Sequence, residues 1–67
     1  MNVNLLKAKM VEHGYNDQSF SQAIGINVAT FYRKKCGDSD FNREEIKKIK
    51  DLLSLSMNDV DRIFFET

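Results

Sequence analysis

The chain has no proline, one cysteine, one histidine and three glycines among its 67 residues. With a single thiol, Cys36, no internal disulfide can form, and such usage fits a reducing compartment. The lone His13 has no cysteine or acidic cluster at ligand spacing, so it is expected at the surface or a helix end, with no metal and no other cofactor. No apolar run exceeds a few residues, so neither a membrane span nor a secretory signal is expected, and the expected location is cytoplasmic. Alternating apolar/polar stretches of strand type are also missing, which together with the absent proline predicts an all-helical fold. The serines and paired acids fall at helix starts and on solvated faces. They form no constellation that could pass a proton, so no enzyme is expected. Net charge is lacking too: ten Lys/Arg balance ten Asp/Glu. That balance counts against a nucleic-acid partner at first sight, because such proteins ordinarily carry a basic surplus.

The charges are unevenly placed, however. Residues 1–50 hold nine Lys/Arg and six Asp/Glu, whereas residues 51–67 hold one, Arg62, and four. The first part is therefore positive by three and the second negative by three, and local potential matters more than the total. At 42% hydrophobic and 30% charged, the chain suits a small folded domain. It lies near the lower size limit for folding without disulfide, metal or partner, and a single domain over 1–67 is expected. No internal repeat or low-complexity tract is visible.

Five helices follow from caps and periodicity. Helix 1 is expected from about Val3 to His13, with Val3, Leu6 and Met10 at helical spacing and Gly14 as the stop. Asn16 caps helix 2, which buries Phe20 and Ile24, and Gly25 stands where a left-handed backbone is needed. Asn27 caps helix 3, which runs to about Lys35 and ends near Gly37. The loop Gly37-Asp38-Ser39-Asp40-Phe41 turns Phe41 into the core. Asn42 and Glu45 have capping-box spacing and open helix 4, with Ile46, Ile49, Leu52 and Leu53 as its apolar face. Ser56 and Asp59 repeat that signal and open helix 5, with Val60, Ile63 and Phe64 inward.

The run Asn16–Lys35 carries the functional signal. Its order is a polar cap (Asn16), Phe20, a small residue (Ser21), Ile24-Gly25-Ile26, a second polar cap (Asn27) and Phe31, followed by Arg33-Lys34-Lys35. Ser21 stands four residues before Gly25, where two helices approach closely; Ile26 plugs the corner and Phe31 locks the second helix. In this order, and in the later GDSDF before a capped helix, the chain resembles the DNA-binding domains of lambda-type phage repressors and Cro proteins over residues 16–55.

The resemblance implies a compact five-helix domain with a helix-turn-helix at about residues 16–36. Helix 3, about residues 27–35, would lie in the major groove of a double-stranded operator. By the same resemblance, Val28, Ala29, Tyr32 and Arg33 face base edges. Arg33 suits guanine O6 and N7, Val28 and Ala29 suit thymine methyl groups, and Tyr32 reaches a base or a phosphate. Asn27 and Thr30 at the helix start suit a phosphate, and Lys34 and Lys35 suit backbone contacts. The chain departs from the family pattern at Asp17, where a phosphate-clamping glutamine is common, so that contact is expected to pass to Asn16 or Gln18. At Lys34-Lys35 the family usually has an apolar residue, and a less well packed, more mobile helix end is expected here. Val28 and Ala29 replace the amide side chains of the best-known readers.

Plainer roles stand beside these. Arg33-Lys34-Lys35 also suits the negative end of a helix dipole. Lys47, Lys48 and Lys50 read as a solvated face, with Glu44 and Lys48 at ion-pair spacing. Tyr15 reads as half-buried support for helices 1 and 2, and Cys36 as helix-end packing or exposure. Phe64 and Phe65 are neighbours on a helix, about 100° apart, and fit either the core or a contact with a second copy. A homodimer on DNA is therefore expected, with no membrane and no small-molecule ligand. The rival is a module derived from the same fold that binds protein, such as an antirepressor or adaptor.

Overall fold

The computed structural model describes residues 1–65, and among these it is all-helical with no strand. The helices are α1 (Val3–Glu12), α2 (Asp17–Ile24), α3 (Val28–Lys35), α4 (Arg43–Leu52) and α5 (Met57–Val60). The last continues as a π-helical turn over Asp61–Phe65. None of these helices is long and apolar enough to cross a membrane.

Every helix begins where a side-chain oxygen can take an otherwise orphaned backbone N–H. Asn16, Asn27, Asn42 and Ser56 cap α2 to α5 as the sequence predicts, and Asn2 caps α1 by accepting from the Leu5 N–H at 3.0 Å. Reciprocal capping boxes form at Asn42/Glu45 and Ser56/Asp59. A third forms at Asn16/Ser19, where the serine hydroxyl does the work usually done by Glu or Gln.

The helix ends share one device as well. After α2, Gly25 sits at φ +80°, its N–H bonds to Gln22 O at 3.1 Å and the Ile26 N–H reaches back to Ser21 O at 3.0 Å. This paired closure needs a left-handed residue. It turns the chain within three residues, so α3 starts against the helix it has just left. After α4 the same closure falls on Ser54 (φ 51°), with the Ser54 N–H directed at Asp51 O and the Leu55 N–H at Lys50 O.

The core comprises Leu6, Met10, Phe20, Ile24, Phe31, Phe41, Ile49, Leu53, Leu55, Val60 and Ile63. Ser21 is buried among them and donates its hydroxyl hydrogen to Gln18 O at 2.9 Å, which satisfies a polar group inside an apolar contact. An aromatic row crosses this core with ring centroids 5.0 to 5.9 Å apart: Tyr15, Phe20, Phe31, Phe41, Phe64. Tyr15 and Phe64 are half-buried at its two ends. The chain start is tied to the chain end, because the Asn2 N–H donates to Ile63 O at 2.7 Å.

Helix 5 is α-helical for four residues before widening into the π turn; Val60 and Ile63 are buried as expected, Phe64 packs half-buried against the core, and Phe65 is 65% exposed. One expectation needs correction: the end of α3, expected to be less well packed, is anchored, because both of its lysines find carboxylates on neighbouring helices.

Ser54 bears a Cβ in a backbone conformation that glycine adopts without strain. Ser54→Gly should stabilise the domain by about 0.5–1 kcal/mol, read as a higher urea midpoint at unchanged slope. A lower midpoint would show that the serine is not strained.

Candidate nucleic-acid interface

The orientation of α3 follows from one side chain. Phe31 is fully buried between Phe20 and Phe41, at centroid distances of 5.7 and 5.9 Å. Residues two before and two after it on a helix point to the opposite side. Ala29 and Arg33 therefore face outward, with Val28 and Tyr32 beside them, and all four are exposed. The four side chains proposed to read bases thus share one solvent-facing surface. Thr30 is exposed too.

Tyr32 lies one turn before Cys36, which is exposed at the helix end. Its interaction with the Cys36 thiol pushes the phenol above its ordinary value.

The residues proposed for phosphate contacts divide. Asn16 and Asn27 use Oδ1 to cap their helices, at 2.8 Å from the Ser19 N–H and 2.7 Å from the Ala29 N–H, which leaves each Nδ2 as an outward donor. Gln18 is exposed on the first turn of α2. Lys34 and Lys35, by contrast, are engaged inside the protein. The Lys34 ammonium donates to Glu45 Oε1 at 2.6 Å, and the Lys35 ammonium to both carboxylate oxygens of Asp17 at 2.7 and 2.8 Å. Lys35 also lies 5.5 Å from the Tyr32 ring centroid and 5.8 Å from that of Phe31, within cation–π range. In this geometry the two lysines, expected as backbone contacts, brace α3 against α4 and α2, each paired with a carboxylate in the free protein.

Glu45 was legible only as a capping residue. It is only 8% exposed, and Oε1 also accepts from the Asn42 N–H at 2.9 Å. Burial alone raises the carboxyl, but Lys34, the Asn42 N–H and Lys48 outweigh it and hold the group below its ordinary value. Lys48 was expected to pair with Glu44 on a solvated face. Its ammonium instead reaches to within 3.5 Å of Ile24 O, at the negative end of α2.

A groove of about 540 Å³ runs along the edge of this α3 surface, between α1, the start of α2 and the length of α3; its lining includes Lys7, Tyr15, Asp17, Gln18, Val28 and Lys35. Nothing in the sequence spacing of Lys7 marks it for this groove. Phe65 lies beside Phe64 at a second groove of about 510 Å³ with Met1, Phe41 and Ile46 in its walls.

No protein-family model matches the chain, and comparison with curated proteins and with solved structures finds no match.

The low native value of Glu45 has a pH consequence. The unfolded carboxyl, near 4.5, takes up a proton before the native one does. The stabilisation is therefore complete above that pH and is lost as pH falls through the native value. Glu45→Gln should lower stability at neutral pH by about 1–2 kcal/mol and flatten the acid limb of stability against pH. An acid limb unchanged in the variant would contradict the pairing.

Proposed function

We propose that the chain is a DNA-binding transcriptional regulator of the phage Cro and repressor type, with α3 in the major groove and α2 across the backbone. The observation that carries this reading is the division of α3. Its inner side is sealed by the buried Phe31 and braced by two ion pairs, while its outer side presents Val28, Ala29, Tyr32 and Arg33 together. A short helix held so firmly, with a mixed apolar and hydrogen-bonding outer face, suits base-edge recognition, which needs fixed donors and methyl-sized apolar contacts.

Arg33 is the principal reader in this proposal, through a two-pronged contact to guanine. Val28 and Ala29 pack on thymine methyl groups, and Tyr32 donates to a base or a phosphate. Asn16, Gln18, Asn27 and Thr30 hold the backbone on either side. With Lys34 and Lys35 internally paired, the electrostatic drive is modest and salt dependence correspondingly shallow.

One such module buries only roughly 600–1,000 Å², which gives weak binding by itself. The protein therefore acts as a pair on half-sites about 34 Å apart. The exposed Phe65 and its neighbouring groove are the proposed contact between copies, with Phe64 as the groove's inner wall. The proposed setting is the cytoplasm of a bacterial host.

The test is fluorescence anisotropy with a selected duplex and with random-sequence duplex. Arg33→Ala should lose about 1–3 kcal/mol of preference at one base pair while its affinity for random DNA changes far less. Equal losses on both duplexes would remove Arg33 as a reader. No binding of wild-type protein to either at micromolar concentration and low salt would favour the protein-interaction module instead.

A further inference from the structure

We infer that the groove between α1, α2 and α3 takes a backbone phosphodiester of DNA, and that Asp17 holds its cation, Lys35, in the free protein as an internal stand-in for that phosphate. The inference rests on the DNA-binding reading above and adds to it a residue that sets the contrast between specific and random DNA.

The groove has Val28 of the reading surface in its lining, with Lys7 from α1. A duplex whose major groove receives α3 lays a strand of its backbone beside that surface. The cation within reach is Lys35, and its ammonium is gripped by both oxygens of the Asp17 carboxylate at 2.7 and 2.8 Å. Two carboxylate oxygens on an ammonium offer the same charge and nearly the same acceptor geometry as the two non-bridging oxygens of a phosphodiester.

The two partners differ in freedom. The Lys35 side chain is 12% exposed and lies over the rings of Tyr32 and Phe31, whereas the Asp17 side chain is 38% exposed at the rim. When a phosphate arrives, the carboxylate is therefore the partner that swings out, and the cation stays in place. Asp17 also stands on the first turn of α2, where the helix dipole tolerates it whether paired or solvated.

Such an exchange has a clear consequence for recognition. A phosphate gains little from a cation that already has a carboxylate, so chance contacts with DNA are weak. The exchange is driven only where base contacts from Val28, Ala29, Tyr32 and Arg33 hold the backbone against the groove. The internal ion pair thus suppresses random binding more than specific binding.

The experiment is a double-mutant cycle read by anisotropy on a labelled random-sequence duplex at about 50 mM salt. Asp17→Asn should bind that duplex about fivefold more tightly than wild type, and in a Lys35→Met background the same change should give a gain of about twofold or less. Circular dichroism checks that each variant keeps its helix content. Asp17→Ser, which also removes the charge and suits a helix start, replaces Asp17→Asn if that variant loses structure. No gain from either substitution, or a gain as large without Lys35 as with it, would show that Asp17 is a brace or a simple repeller and overturn the inference while wild-type DNA binding stands. If no variant and no wild-type protein binds DNA, the inference and the DNA-binding reading fall together.

Discussion

The burial of Phe31 is the constraint on which the rest of the structure depends. It is the middle ring of the aromatic row, completely removed from water, and it joins the α2 side of the core to the Phe41 loop. A helix of eight residues has little stability alone, so α3 exists because this ring anchors it. Once Phe31 points inward, the helical period decides everything on the opposite side. Ala29 and Arg33 must face solvent, and the tight closure at Gly25 sets α3 against α2 at the right moment in the chain. The surface proposed to meet DNA is a by-product of packing on the other side of the helix.

The two lysines that follow show how a local departure can be a tertiary solution. Lys34 and Lys35 stand where the resembled family usually has an apolar residue, and Asp17 stands where it usually has a glutamine. Considered separately, each looks like a defect: a poorly packed helix end and a lost phosphate clamp. In space Asp17 and Lys35 are partners, and Lys34 meets the buried Glu45 of the α4 capping box. Helix α3 is thereby braced to both neighbours by ion pairs rather than by apolar packing at its end. Such pairs add specificity of arrangement more than net stability. They also use up positive charge, in keeping with a chain of zero net charge.

Local signals made most of the fold legible. The caps at Asn16, Asn27, Asn42 and Ser56 and the stops at Gly14, Gly25 and Gly37 depend on hydrogen bonds within a few residues, so sequence spacing reveals them. The inward positions of Phe20, Phe31 and Phe41 were legible because helical period and loop placement dictate them. What escaped notice depends on contacts distant in sequence or on backbone choices that no residue type announces. Glu45 looked like an ordinary cap because its second partner, Lys34, lies on another helix. Ser54 in a left-handed conformation and the π turn at Asp61–Phe65 carry no glycine or proline to mark them. Lys48 is placed by the end of α2, twenty-four residues away, rather than by its own helix. The exposure of Val28, Ala29, Tyr32 and Arg33 matches the expected face, but their chemistry toward a duplex belongs to the proposal.

The central claim is that this outward face of α3 reads a DNA sequence, and in vitro selection from a random duplex pool tests it most directly. The account predicts enrichment of a two-fold symmetric consensus whose half-sites are one helical turn apart, about 34 Å centre to centre, with a guanine in each half that loses its enrichment when Arg33 is replaced. A pool that remains random after repeated rounds at low salt would contradict it.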